Sequence, residues 1–134
     1  MGAAVTDAIR DHASQAYPNE CCGALYGVNG SIQLAFALPN TTDEGPRRRF
    51  RVSVSDYRRA EARATETGLS LLGFYHSHPD APARPSQYDL DHAWPFFLYL
   101  ILAVEHGEAT LLTAWSLNPE RSAFDERTLL ALTS

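Results

Sequence analysis

The residues able to do chemistry gather in one stretch, Tyr75-His76-Ser77-His78-Pro79, followed by Ser86-Gln87-Tyr88-Asp89. Two histidines at i and i+2 in extended backbone project to the same side, because side chains alternate along a strand. Their imidazoles therefore converge on a common point. Asp89 follows His78 by 11 residues, beyond a proline-rich loop and in the first turn of an expected helix. Two imidazoles, one carboxylate and an open fourth position make a catalytic zinc shell rather than a closed structural one. A bare His-x-His marks little more than two surface histidines beside a turn. The appended Asp, the prolines and Glu20 on a separate element raise it above that.

The remaining candidates divide less cleanly. Ser86-x-x-Asp89 also has the form of a helix capping box, with Ser86 as N-cap. An Asp committed to a metal is less free to close that box. Ser77 lies between the histidines, points away from them, and is expected to satisfy nearby backbone behind the site. His92, one turn after Asp89, either orients that carboxylate or packs on its helix. Cys21 and Cys22, next to Glu20, read as small buried apolar residues rather than nucleophiles. His12 and His106 are expected at the surface, and Asp80 and Asp91 in solvent. The chain contains 11 basic residues, all Arg. Lysine nucleophiles and Schiff-base chemistry are thereby excluded. Arg47, Arg48, Arg49 and Arg51 cluster on a chain of net charge −5. They form either a solvated loop-to-strand edge or a contact for an acidic partner.

The elements that must position these groups follow from pattern. At 134 residues the chain fits one domain, residues 1–134, with no repeat, linker or low-complexity tract. A first helix is expected from Thr6, as N-cap, to Ala16, ended by Tyr17-Pro18-Asn19. Cys22–Val28 and Ser31–Leu38 read as strands joined by Asn29-Gly30, a strong hairpin signal. Phe50–Val54 reads as a short strand. Ser55-Asp56 opens a second helix, Tyr57–Thr67, with Gly68 at its C′ position. Leu69–His76 is a strand buried on both faces, Ser77–Pro85 a loop, and 86–94 a short helix stopped by Pro95. Strands follow at Phe96–Val104 and Thr110–Leu117, separated by a turn at His106-Gly107. The tail Phe124–Leu132 is either strand or helix. The mixture indicates an α/β layered fold with a mixed sheet.

No apolar run approaches the roughly 20 residues that span a bilayer. The N-terminus lacks a secretory layout, and two adjacent cysteines make no disulfide framework. A cytoplasmic location is the expectation, with no membrane. The acidic balance argues against nucleic acid as partner.

The motif as a whole resembles a known family. Glu20 opens a strand; His76-x-His78 is followed by seven residues, beginning with Pro79, and then Ser86-x-x-Asp89. This is similar to the complete JAMM (MPN-plus) metalloprotease motif. Glu20-Cys21-Cys22-Gly23, Gly73-x-Tyr75 and the stretch from Tyr88 to Pro95 resemble the small bacterial members. The resemblance implies a cytidine-deaminase-like fold, with a curved mixed central sheet flanked by helices. It implies one zinc per chain on His76, His78 and Asp89, a zinc-activated water as nucleophile, and Glu20 as the base that moves its proton. It gives the Ser86 hydroxyl to the developing oxyanion, while a cap by Ser86 can coexist with that role. Deamination is disfavoured, because Pro-Cys-x-x-Cys is missing. The implied substrate is a ubiquitin-like sulfur-carrier protein, or its conjugate, cut after a Gly-Gly tail. The alternatives are a zinc hydrolase of small peptides or other amides, and a non-catalytic MPN scaffold.

Overall fold

The computed structural model describes residues 1–38, 54–91, 93, 97–120 and 122–127. Helix α1 spans Ala3–Ala16. It starts three residues before Thr6, with extended Gly2 as N-cap, and the Thr6 hydroxyl donates back to the Gly2 carbonyl from inside the first turn. Tyr17 leaves the helix with φ −49° and ψ 135°, the extended geometry that Pro18 imposes on the residue before it. Strands β1 (Cys22–Val28) and β2 (Ser31–Leu38) form the expected hairpin. Asn29 and Gly30 both take positive φ, 51° and 78°, as a type I′ turn requires.

Helix α2 spans Val54–Thr67, and Gly68 at φ 71° closes it. Of the short strand expected at Phe50–Val54, residues 50–53 lie outside the described residues, and Val54 belongs to the helix. Strand β3 runs Ser70–Pro79, three residues beyond the expected end. The parallel ladder to β4 (Leu98–Glu105) carries it on, pairing Ser77 with Leu102, His78 with Ala103 and Pro79 with Val104. Both histidines are therefore strand residues, and Ser77 to Pro79 are not loop. Helix α3 is short, Gln87–Asp91. Strand β5 is Glu108–Leu117, after a turn in which His106 and Gly107 take φ 51° and 88°. Of the tail expected at Phe124–Leu132, Phe124–Arg127 forms strand β6, and residues 128–132 lie outside the described residues.

Among the described residues, six strands form one mixed sheet in the order β2-β1-β3-β4-β5-β6. Only β3 and β4 run parallel; the other neighbours are antiparallel. On one face α1 packs Ile9 and Ala13 against Leu25, Tyr75, Leu100, Leu102 and Val104. On the other, α2 packs Ala60 against Ala24, Tyr26, Phe74 and Tyr99. The result is the layered α/β fold with a mixed sheet that the sequence implied. Two glycines make it possible. A Cβ on Gly73 would lie 1.8 Å from the Leu98 carbonyl oxygen, where β3 meets β4. A Cβ on Gly23 would lie 2.1 Å from the Tyr75 ring, which fills the space above that residue.

Candidate metal centre

The parallel ladder puts His76 and His78 on the sheet face covered by α2, with Tyr75 and Ser77 on the α1 face. Ring nitrogen Nε2 of His76 stands 3.1 Å from Nε2 of His78. Asp89 Oδ2 is 3.2 Å from His78 Nε2 and 3.3 Å from His76 Nε2. These three atoms form a nearly equilateral triangle. Ligands at zinc bond lengths of about 2.0–2.1 Å in a tetrahedral shell stand about 3.3 Å apart, so the donor set fits such an ion by both chemistry and spacing. A carboxylate oxygen of Glu20 lies within 4.8 Å of both imidazoles. Glu20 is 5% exposed and His76 1%.

Two of the three facing groups are held from behind. The His78 Nδ1 faces the Pro82 carbonyl at 2.8 Å. A carbonyl only accepts, so Nδ1 carries a proton, which leaves Nε2 as the ring atom that faces the cluster and is available to a metal. Asp89 accepts from the Ser86 backbone N–H at 2.8 Å through Oδ2, the same oxygen that faces the histidines. The Ser86 hydroxyl in turn accepts from the Asp89 N–H at 3.1 Å. The capping box is thus closed while Asp89 faces the cluster, so the two uses of Asp89 do not compete. The Ser86 O–H proton remains available to donate.

Ser77 ties the backbone of Cys21, the residue after Glu20, to the strand that carries the histidines. Its hydroxyl accepts from the Cys21 N–H at 2.9 Å, and its own N–H donates to the Cys21 carbonyl at 3.1 Å. Cys22 pairs with His76, and continuing that antiparallel register sets Glu20 opposite His78. Ser77 is fully buried and bonds backbone, as its position between the histidines suggested.

Electrostatics follow from burial and from Asp89. Burial lowers the His76 pKa and keeps the ring neutral, against the pull of Asp89. For His78 burial acts in the same direction, but the hydrogen bond and charge of Asp89 outweigh it and the net shift is upward. Burial opposes the Asp89 charge too, yet both histidines and the Ser86 N–H hold its carboxyl well below the usual carboxylate range. The thiols are different. Burial pushes Cys21 up to about 11 and Cys22 up to about 12, leaving both protonated and unreactive at neutral pH.

The cluster of Arg47, Arg48, Arg49 and Arg51 lies outside the described residues, as does His92. One expectation needs correction. His12 is half-buried rather than at the surface, because its ring packs edge-on to Tyr75 and its Nδ1 hydrogen-bonds the Tyr75 hydroxyl at 2.7 Å. Asp80 is exposed, as expected, and also serves as a clamp. It accepts from the Tyr17 hydroxyl and from the His106 N–H at 2.9 Å, and its own N–H donates to the Val104 carbonyl. It sits at φ 52°, a left-handed position that Asp tolerates better than most residues. An Asp directly after the strand-ending Pro79 was the available signal for this clamp.

A family model for prokaryotic homologues of the JAB domain matches residues 2–118. A desampylase from Haloferax volcanii is 32% identical over 108 residues, 75% of this chain and 77% of that protein. A Thermus thermophilus protein named "Probable TtuB-protein conjugate cleaving protease" is 31% identical over 103 residues, 77% of this chain and 68% of its own length. A tail tip assembly protein K from Escherichia phage N15 is 37% identical over 83 residues, 62% of this chain, a match that spans only 31% of the phage protein. Among solved structures, a Desulfitobacterium hafniense protein superposes with a TM-score of 0.85 at 26% identity, covering 100% of this chain and 94% of that one. A structure described as a JAMM metalloprotease-like zinc site superposes at 0.63 with 18% identity, over 98% and 94% of the two chains, which is a likeness of fold. By the family match and these relatives, the chain belongs to the small prokaryotic JAB family of JAMM/MPN domains.

Proposed function

We propose that this protein is a zinc-dependent isopeptidase or protease that hydrolyses the amide after the Gly-Gly tail of a ubiquitin-like carrier protein. The observation that carries the reading is the triangle of His76, His78 and Asp89, 3.1–3.3 Å on each side, with Glu20 beside it. In this reading those three side chains hold one zinc. When bound, the ion supplies Lewis-acid polarisation and lowers the pKa of a water from about 15.7 to about 7.

The chain's own groups do the rest. Glu20, buried and fixed through Cys21 and Ser77, accepts the proton of the attacking water on a carboxylate oxygen and returns it to the leaving nitrogen. Ser86 accepts from the Asp89 N–H, so its hydroxyl hydrogen is free to reach the oxyanion as charge develops there. Pro82 and Ser86 orient the groups facing the zinc through backbone, which fixes the tautomer of His78 and the rotamer of Asp89. Cys21 and Cys22 take no part, and such thiols suit a reducing cytoplasm.

The carrier substrate is supported by two relatives, one named a desampylase and one a conjugate-cleaving protease. A glycine tail also suits a confined approach, because only glycine lets backbone pass so closely. In this reading Arg47, Arg48, Arg49 and Arg51 meet an acidic face of the carrier and speed encounter. The test compares a carrier–peptide fusion with the same tail as a free peptide. A much higher kcat/KM for the fusion is expected. Equal values would reject the folded carrier and leave a general peptidase.

A further inference from the structure

The α2 face of the sheet is only partly covered. Helix α2 packs over Ala24, Tyr26, Phe74 and Tyr99. Farther along the same face, over β4, β5 and β6, lies a groove of about 960 Å³, walled by the loop Asp80–Arg84. Its floor is Ala103, Leu111, Thr113 and Trp115. Ala103 is the ladder partner of His78, so the groove begins beside the metal-ligand cluster. Leu111 is 55% exposed in its floor. Floor and wall are tied together: the Trp115 indole N–H donates to the Thr113 hydroxyl, which donates to the Ala83 carbonyl at 2.7 Å.

We propose that this groove seats the segment on the leaving side of the scissile amide, and that it selects a segment carrying basic side chains. The proposal rests on the hydrolase reading above. A Gly-Gly tail has no side chains with which to fill such a space, whereas the segment beyond the scissile bond does. Its charge favours cations. Among the described lining residues, the exposed carboxylates of Glu105 and Glu126 lie on the rim against the guanidinium of Arg84 and the imidazole of His106. The Asp80 carboxylate is already engaged by Tyr17 and His106. A lysine or arginine fits both parts of the groove. Its aliphatic stem lies on Leu111 and the Trp115 ring, and its charged head reaches the rim carboxylates. Opposite charges across such a contact set selectivity and encounter rate more than final affinity.

The test has two arms on the zinc-loaded full chain. In the first, an acetylated pentapeptide with two lysines is titrated while the Trp115 indole N–H signal is followed by NMR, assigned by its loss in Trp115→Phe. The same peptide with glutamates is the control. The lysine peptide should shift the signal with at least about tenfold tighter binding, and Glu105→Gln/Glu126→Gln should erase the difference. In the second, carrier fusions with lysine-bearing and glutamate-bearing extensions are compared by kcat/KM, with the same collapse expected in the double variant. Equal binding of both peptides, or a preference unchanged in the double variant, would overturn the groove assignment. An intact peptide preference with no fusion cleaved would support the groove and overturn the hydrolase reading alone.

Discussion

Alternate residues of β3 lead two different lives. Tyr75 and Ser77 face α1, 2% and 0% exposed, and every polar atom they bring is spent on structure: the Tyr75 hydroxyl on His12, the Ser77 hydroxyl on the Cys21 N–H. His76 and His78, their immediate neighbours, face the other way and turn nitrogen toward nitrogen at 3.1 Å. In a packed interior such an arrangement lacks an apolar rationale, because burial costs each imidazole its water without giving it a shape-matched neighbour. The difference shows how one strand serves two purposes. The packed α1 face makes β3 rigid, and the alternation of the pleat hands that rigidity to His76 and His78 on the other side.

The comparison can be broken from either face, and the metal face should give the larger functional effect. His78→Ala removes one corner of the triangle. Zinc retained by protein purified without added metal should fall from about one per chain to near zero, and hydrolysis should drop to background. The fold should survive, with the variant melting close to metal-free wild type, since the α1 face is untouched. Stoichiometric zinc in the variant would remove His78 from the ligand set.

A change at the two cysteines, Cys21 on the α1 face and Cys22 on the metal face beside His76, should do the reverse, with a smaller effect. Cys21→Ala/Cys22→Ala alters buried residues next to Glu20 but no group in the cluster, so kcat/KM should stay within about twofold of wild type at neutral pH. The difference should surface in alkali. Burial raises both thiol pKa values above the ordinary 9.0, to about 11 and about 12. A raised folded-state pKa contributes stability below the unfolded value and loses it as pH climbs through the folded value. Wild type should therefore lose stability more steeply than the double variant between pH 9 and 12. Denaturant midpoints measured across that range decide it, and parallel curves would mean that the thiols do not carry the loss.

How much of this was legible depended on whether the signal was local. The β1–β2 hairpin was readable to its ends because Asn29-Gly30 dictates its own turn and each strand is bounded by it. The convergence of His76, His78 and Asp89 was readable because their spacing along strand and helix brings the three side chains together. The end of β3 was misjudged because Pro79 looks like a loop residue, whereas the parallel ladder to Val104 holds it in the strand. The start of α1 was misjudged because Thr6 is a good cap in isolation, and Gly2 takes that role. The groove over β5 and the bond from Thr113 to Ala83 that ties its floor to its wall depend on contacts between segments far apart in sequence. Local pattern gives no sign of those. The capping box was visible, but its compatibility with ligand duty was not, because only the geometry shows a single Asp89 oxygen meeting both Ser86 and the histidines.

The central claim is a division of labour, in which His76, His78 and Asp89 hold the metal and Glu20 moves the proton. The most direct measurement is zinc content and conjugate hydrolysis on one preparation of Glu20→Gln. Glutamine keeps the shape of glutamate but cannot accept the proton, so zinc should stay at about one per chain while kcat falls by about 10²–10⁴. Loss of the zinc with the activity would make Glu20 a ligand instead of the base. Hydrolysis near the wild-type rate would place the base elsewhere and contradict the account.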